Sequence, residues 1–348
     1  MTEILPIVMN QQFEKLAVVD EYTSLIWTTR YYECGDFELC VDVDQKTIEL
    51  FHEGYYIYRE DDENVGVVEK IEIQKTEEYQ EILIITGRFL PSIIGRRIIA
   101  QQTMVSGTVA ACVNTLLTDA IINPSIAARK ISNFILGTYS ISKKMQAQYT
   151  GANLLETISA ICQTYGVGFK VILNDQNQFV FSLFEGIDHS YDQSANPYVV
   201  FSDEYDNLLS SKYFEDYHEL VTDVLVAGEG EGLDRKTLWV SEANPKGLNR
   251  YEAYKDQRNL QSNDGEITEA EYQAQMRESG LESITTITTA FTGTVYFGNV
   301  KWKQDVNIGD ICVIENKKWG IYINSRLVEV IESVNEAGEY SIVPSFGI

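Results

Sequence analysis

The segment spanning residues 27–39 constrains the fold of this chain more than any other stretch. Its first half, Trp27 to Tyr32, is crowded with the aromatic and β-branched residues that favour strands. The turn signal Cys34-Gly35-Asp36 interrupts that pattern. Strict alternation then begins at Phe37, with apolar residues at 37, 39, 41 and 43 and mostly acidic residues between them. The segment therefore predicts a strand, a sharp bend, and a second strand with one core face and one acidic, solvent-facing side.

The charge of the chain restricts its possible functions. The 348 residues include 52 acidic and 27 basic side chains, which gives a formal net charge of −25. Proteins that grip nucleic acid need basic surface for the phosphates, so this class is disfavoured. Two interpretations of the acidity remain open: general solubility, or an acidic surface that repels a polyanion or meets a basic partner.

Cysteine usage and the absence of targeting signals indicate where the protein is made. The five cysteines are odd in number and include no C-x-x-C pair, which argues against a disulfide framework or a zinc site. The N-terminus lacks the basic and apolar regions of a signal peptide, and no apolar run approaches the roughly 20 residues of a membrane span. We expect a soluble protein without a membrane span, made in the cytoplasm.

Periodicity predicts a mainly β, multi-domain (α+β) fold, since the chain is too long for one ordinary core. Residues 1–98 are predicted to form a first small β-barrel-like domain, because short strands and turn signals alternate throughout. Residues 99–205 are predicted as a helix-containing α+β domain. Residues 206–348 are predicted as a second β-barrel-like domain, with a partly helical insertion at about 242–282.

Helix signals place three helices. Ser106 or Thr108 begins one that Asn123-Pro124 ends, and Thr150-Gly151 opens a second that Gly166 closes. The third, from about 269 to 279, begins with a Thr268–Glu271 capping box. It lacks a wide apolar stripe, so we expect it to lie on the surface.

Motifs that would indicate catalysis, cofactor binding or a metal site are absent from the sequence. The three histidines form no H-E-x-x-H pair, and no G-x-S-x-G elbow occurs. The glycine-rich loop 228–232 carries two glutamates and lacks the Lys of a phosphate-binding loop. The acidic turn 60–64 is predicted to be a solvated hairpin tip rather than a cation site, and Arg96-Arg97 to pair with local carboxylates rather than bind an anion. No sequence pattern selects a metal or acid–base site at His189 and Asp192. None selects a carboxylate pair for glycoside cleavage. The chain is therefore predicted not to be an enzyme.

Four landmarks occur in a recognisable order. The segment 27–39 fits the pattern W-x-x-R-Y-x-x-x-G-x-F-E-L; residues 87–90 lie near Arg96-Arg97; the loop 228–232 precedes Arg235; and the chain ends with Ile308-Gly309-Asp310 through Pro344-Ser345-Phe346-Gly347. Taken together and in this order, they resemble siphophage and prophage tail baseplate hub proteins of the tail-associated (Tal) type. Cys34 departs from that pattern, where the family often has proline or a small residue.

The resemblance implies a structural protein of the virion tail tip, assembled in the host bacterial cytoplasm. Such a hub is a ring-forming homotrimer whose two barrel-like domains per chain give pseudo-six-fold symmetry. The ring would dock on the distal tail protein hexamer, contact the C-terminus of the tape-measure protein, hold a downstream tail fibre or receptor-binding protein, and pass DNA through a central channel without specific binding. The chain stops at residue 348, so no lysin extension is expected.

The residues expected to carry this structural and interface role are those of the matching motifs. They are Trp27, Arg30, Tyr31, Tyr32, Gly35, Asp36, Phe37, Gly309, Asp310, Phe346 and Gly347. Trp27 and Phe37 are expected to anchor the first core, Gly35 to bend the strand between them, and the polar face around Arg30, Asp36 and Glu38 to be available for ring contacts.

Three other functions stay open at this point. The chain could be a tail-associated cell-wall hydrolase, a host-surface glycan-binding module, or the hub of a contractile injection machine. For the hub, part of the negative charge, notably around residues 203–223, is expected to face the channel so that DNA slides without counterion-releasing contacts.

Overall fold

The computed structural model describes residues 4–75, 81–262, 267–295 and 300–347, with the backbone alone at 288–295 and at position 322. The first third of the chain is built of short antiparallel strands and one helix. These elements are β1 (Ile7–Met9), β2 (Lys15–Val18), β3 (Ser24–Arg30), β4 (Asp36–Asp42), α1 (Gln45–Leu50), β5 (Tyr56–Tyr58), β6 (Val65–Lys75) and β7 (Glu81–Phe89).

The middle of the chain mixes helices with strands. Its elements are β8 (Thr103–Thr108), α2 (Val109–Leu117), β9 (Phe134–Leu136), β10 (Lys144–Tyr149), α3 (Leu154–Tyr165), β11 (Gly168–Leu173), β12 (Phe179–Phe184) and β13 (Val200–Ser202).

The last third returns to strands around one long helix. Its elements are β14 (Leu208–Asp216), β15 (Asp223–Ala227), β16 (Thr237–Ser241), β17 (Glu252–Asp256), α4 (Glu269–Leu281), β18 (Thr288–Val295), β19 (Ile311–Asn316), β20 (Ile321–Val334) and β21 (Tyr340–Gly347).

One large sheet joins strands from both ends of the chain. Its order is β14-β18-β21-β20-β3-β4-β7-β6-β5-β1-β2, with β19 also beside β20 and β13 beside β19. The link between the two ends is the antiparallel pair β3–β20, in register from Arg30–Glu329 to Leu25–Val334. The mainly β fold class is confirmed. Among the described strands, however, the path runs open from β14 to β2, so the two β regions share one sheet rather than closing as separate barrels.

Two apolar cores lie against this sheet. The first contains Trp27, Phe37, Leu39 and Phe89, and the second contains Phe201, Ile314 and Phe346. Along β4 and β7, buried side chains largely alternate with more exposed ones, as expected for a sheet with one buried face.

The middle region has a core of its own, formed by α2 and α3 against the sheet β11-β12-β9 and the pair β8–β10. Thr108 caps α2 as predicted, its side chain accepting from the amide of Ala111. Asn153 rather than Thr150 caps α3, and Gly166 ends it with a left-handed φ of 61°. Leu90, Ile93 and Met9 from the first third also pack into this core. The boundaries at 98 and 205 stay predictions.

A fourth core belongs to a small unit inserted between β14 and β18. Its sheet β16-β15-β17 packs Val224, Val226 and Val240 against Tyr272 and Met276 of α4. The prediction that this helix lies on the surface is therefore wrong. Its apolar stripe is narrow, but residues four apart lie on one face and bury against the sheet.

Gly35 is a position at which a side chain cannot be accommodated. A Cβ there would lie 2.2 Å from the carbonyl oxygen of Thr28 and 2.6 Å from the ring of Phe89.

Gly35→Val is expected to lower the free energy of unfolding by about 1–3 kcal/mol, the usual cost of overpacking. Urea unfolding measures this. Gly95→Ala is the control, since its methyl group would first meet the flexible Leu155 side chain at 3.3 Å; equal losses for the two variants would contradict the assignment.

Candidate functional site

The seam between β3 and β20 gathers most of the residues predicted to be important. Trp27 is fully buried and pairs with Phe37 across the β3–β4 ladder. The Trp27 ring centroid lies 6.0 Å from that of Phe37 and 4.6 Å from that of Phe89. The carbonyl oxygen of Gly35 accepts a hydrogen bond from the amide of Phe89 at 2.8 Å, which fixes the bend between the two strands.

Arg30 connects the two ends of the chain on the polar side of the seam. Its Nε donates to Glu329 Oε2 at 2.7 Å, and its Nη1 donates to Asp36 and to the carbonyl of Cys34. Burial alone would lower the pKa of Arg30, but the hydrogen bonds to Asp36 and Glu329 raise it above its ordinary value. Arg30 and Asp36 are thus engaged within the chain while staying partly exposed, at 26% and 41% of their side-chain areas. Their predicted role in ring contacts stays a prediction.

Tyr31 fills the point where three regions of the chain meet. Its ring is fully buried, and a Cβ added to Gly168 or to Gly309 would lie 2.3 Å or 2.2 Å from it. The Tyr31 hydroxyl lies 3.3 Å from the carbonyl oxygen of Phe184, and the Arg326 guanidinium lies 5.2 Å from the ring centroid. Burial raises the pKa of the Tyr31 hydroxyl, which keeps it a neutral donor. Glycines on two other regions thus provide the space that this ring occupies.

Tyr32 extends the contact into the middle region. Its ring lies 4.7 Å from that of Tyr31 and packs against the core of α2 and α3. Its carbonyl oxygen accepts a hydrogen bond from the Ser159 hydroxyl on α3.

Gly309 and Asp310 fasten the segment after β12 to the second β region. Gly309 has a left-handed φ of 93°, which favours glycine. Asp310 is 2% exposed and accepts hydrogen bonds at 2.7 Å from the amides of Ile187 and Asn307. His189, which the sequence places near Asp192, instead has its Nε2 3.5 Å from Asp310 Oδ2.

The C-terminal residues of the motif lie in the second core. Phe346 is fully buried, with its ring 5.3 Å from that of Phe201. The carbonyl oxygen of Gly347 accepts from the Ser325 hydroxyl at 2.9 Å. These residues lie in the same sheet as the segment 27–39, but they contribute to a different core.

A buried charge network joins the first and second β regions. The Arg59 guanidinium is 1% exposed, donates to Glu332 Oε1 at 3.0 Å, and forms a bidentate pair with Asp61 at 3.0 and 2.6 Å. Lys303 bridges Asp62 at 2.6 Å and Glu332 at 3.1 Å. The acidic turn 60–64 is therefore not simply a solvated tip, because Lys303, 241 positions away in sequence, neutralises the buried Asp62 side chain.

The network shifts the pKa values of its members. Burial alone would lower the pKa of Arg59, but the hydrogen bond to Asp61 and the charge of Glu332 raise it. Burial alone would raise the pKa of Glu332, whereas the charges of Arg59 and Lys303 hold it below its ordinary value. Arg59 and Glu332 are therefore both charged near neutral pH. No sequence pattern predicted a role for Arg59, Lys303 or Glu332. The Arg59–Glu332 and Lys303–Asp62 contacts join residues 273 and 241 positions apart, and such pairs leave no local signal.

The chemistry available at this seam is structural. Among the residues that the structure describes, no group of three His, Cys, Asp or Glu side chains could hold a metal ion. Within the same residues, none of the helices is long and apolar enough to cross a membrane. At the seam, three regions of the chain are held in one fixed arrangement. Buried aromatic rings, glycines packed against them and paired charges hold them there.

Comparison with known proteins identifies the family. The family model described as "Siphovirus ReqiPepy6 Gp37-like protein" matches residues 5–348. The chain belongs to this siphovirus tail protein family. The resemblance noted from the segment 27–39 and the later landmarks is thereby confirmed. No curated protein matches the chain.

Solved structures of tail proteins share the fold. A tail protein from Neisseria meningitidis MC58 superposes with a TM-score of 0.58 at 13% identity, covering 99% of this chain and 96% of that one. The 43 kDa tail protein of prophage MuSo2 from Shewanella oneidensis gives 0.55 at 14% identity, covering 98% of each chain. Prophage tail protein gp18 from Listeria monocytogenes EGD-e gives 0.54 at 14% identity, covering 99% and 94%.

Removing one charge from the buried network tests its contribution to stability. Arg59→Met leaves Glu332 and Asp61 without their principal partner, so we expect the free energy of unfolding to fall by about 3–5 kcal/mol. Arg88→Met is the matched control, because its ion pair with Glu69 is half exposed and such pairs contribute at most about 1 kcal/mol. Chemical unfolding of both variants measures the difference. Similar small losses would show that the network does not stabilise the fold.

The network also predicts a dependence of stability on pH. The folded state lowers the pKa values of Glu332 and Asp61, so their contribution is complete above the unfolded values of about 4. It is lost as the pH falls through the lower folded values. We expect the unfolding free energy of the wild type to decrease below about pH 4, and Arg59→Met to show a shallower decrease. Unfolding curves between neutral and acidic pH measure both slopes; identical slopes would contradict the prediction.

Proposed function

We propose that this tail protein is the baseplate hub at the tip of a phage tail. The chain would form a homotrimeric ring that closes the tail tube, docks on the distal tail protein hexamer and passes DNA through a central channel. The role would be structural rather than enzymatic. Its place would be the virion tail tip, after assembly in the host cytoplasm.

The observation that carries this proposal is the continuous sheet formed by the two ends of the chain. The β3–β20 ladder fixes two β regions, each with its own apolar core, in one rigid body. Three such chains would present six β lobes, which suits a contact with a six-fold ring. The siphovirus description of the family favours a long-tailed phage over a contractile injection machine.

The proposed partners follow from the position of a hub in the tail. On the tube side these are the distal tail protein and the C-terminus of the tape-measure protein, and on the other side a tail fibre or receptor-binding protein. DNA would pass transiently, without specific binding. The net charge of −25 suits such passage, because carboxylates on a channel wall release no counterions from DNA.

The assembly state of the purified chain tests the proposal. Native mass measurement is expected to give three copies of the 39.5 kDa chain, and electron microscopy a ring with a central hole. A stable monomer at micromolar concentration, or a trimer without a hole, would contradict the hub function. A ring whose channel wall is neutral or basic would leave the hub standing and reject the role given to the acidic charge.

A further inference from the structure

A basic and apolar patch lies on the surface of the middle region. It consists of Arg96, Arg97 and Arg129 together with the exposed side chains of Ile98 and Ile126, which are 51% and 58% accessible. The backbone holds these residues together: the Arg97 Nε donates to the carbonyl oxygen of Arg129 at 2.9 Å, and the Arg129 guanidinium donates to that of Ile98.

The arginines of this basic patch have no carboxylate partner within the described part of the chain. The ion pairs found there engage Arg30, Arg59, Arg88, Arg235, Arg250 and Arg258, but none of the three. The expected pairing of Arg96-Arg97 with local carboxylates is therefore wrong. Burial, followed by the positive charges of Arg129 and Arg96, lowers the pKa of Arg97, as expected for like charges that nothing neutralises.

Such a cluster is costly in a chain with nearly twice as many acidic as basic residues. Like charges held together without counter-charges repel, and two exposed isoleucines beside them leave apolar surface in water. Next to Arg129 lies a cavity of about 270 Å³, lined by Ile99, Gln101, Thr103, Asp119 and Asn123. Its size and mixed lining suit a side chain from another molecule. Both features indicate a surface that is covered in the assembled protein.

The complementary surface occurs elsewhere on the same chain. Residues 203–209, the acidic segment, expose Asp203, Glu204 and Asp206, and its apolar side chains Tyr205 and Leu209 are 48% and 65% accessible. Glu204 pairs with Lys317, whereas Asp203 and Asp206 have no ion pair among the described residues.

The acidic segment is held in one conformation. The buried Asn207 accepts from the Ser202 amide at 2.9 Å and donates to the Val200 carbonyl at 2.7 Å. The Ser202 hydroxyl accepts from the Glu204 amide at 3.2 Å. A segment ordered in advance loses little conformational entropy on binding.

We propose that the acidic segment of one copy binds the basic patch of a neighbouring copy. The carboxylates of Asp203 and Asp206 would meet the guanidiniums of the basic patch, and Tyr205 and Leu209 would cover Ile98 and Ile126. The two surfaces differ, so the contact is head-to-tail, and three such contacts close a ring. The inference rests on the proposed trimer and identifies the surfaces that join its subunits. Residues 203–209 then belong to the subunit contact, which leaves the channel wall to other carboxylates such as those of residues 215–223.

A charge-swap series on the full-length chain tests the pairing. Arg96→Glu with Arg129→Glu is expected to raise the concentration at which the trimer dissociates at least tenfold, as is Asp203→Arg with Asp206→Arg, because close interfacial charge pairs are worth more than about 1.4 kcal/mol each. The four changes together restore opposite charges and are expected to recover most of the association. Native mass and sedimentation at several concentrations measure this.

Matched variants separate this contact from effects of net charge and folding. Lys46→Glu with Lys246→Glu changes two exposed lysines and alters the net charge equally, so it is expected to leave the trimer unchanged. Thermal unfolding checks that each variant folds. If Arg96→Glu with Arg129→Glu does not fold, the neutral variant Arg96→Gln with Arg129→Gln is measured in its place. Added salt is expected to weaken the wild-type contact.

The outcomes distinguish the two proposals. A wild-type monomer rejects the hub function and the contact together. A wild-type trimer that the arginine reversals leave intact rejects the contact alone. If each charge reversal weakens the trimer but the variant with all four changes does not regain association, this pairing of surfaces is also rejected.

Discussion

The antiparallel pairing of β3 with β20 is the contact on which the rest of the molecule depends. It brings Arg59 within 3.0 Å of Glu332, although 273 positions separate them in sequence. Burying such charges is costly, so they stabilise the fold only when all partners are in place. The network therefore favours one register of the seam. A shift by one residue would turn Glu332 to the opposite face and leave Arg59 buried without it.

Around this seam, close approach acts together with hydrogen bonds to set the relative positions of the regions. Tyr31 occupies space that Gly168 and Gly309 leave open, and Gly186 lies against the backbone of Gly309, where a Cβ would be 1.9 Å from its carbonyl oxygen. Packing of this kind tolerates little adjustment, because protein interiors are already close-packed. It makes the middle region and the second β region one unit with the first.

The inserted unit and the basic patch show what lies outside this rigid centre. The unit of β15, β16, β17 and α4 carries its own core. Its helix also contacts the middle region, where Glu278 and Glu282 accept hydrogen bonds from the hydroxyls of Tyr165 and Tyr149. In the basic patch, three arginines have no carboxylate partner among the residues that the structure describes. The solved tail proteins share this fold at only 13–14% sequence identity, so the fold is compatible with widely different sequences.

The sequence by itself determined the local elements and the family. Aromatic and β-branched residues placed β3, and alternation placed β4. A cap at Ser106 or Thr108 placed α2, and the Thr268 cap placed α4. The segment 27–39 carried the family resemblance. Each of these signals depends on neighbours within a few residues. Only the tertiary structure decided that the two β regions share one sheet, that α4 is buried on one face, and that Asp62 meets Lys303. It also decided that Arg97 pairs with no carboxylate of the described residues. These features depend on pairs separated by tens to hundreds of residues. The periodicity of a strand shows that one of its faces is buried, but it does not show which distant strand lies beside it.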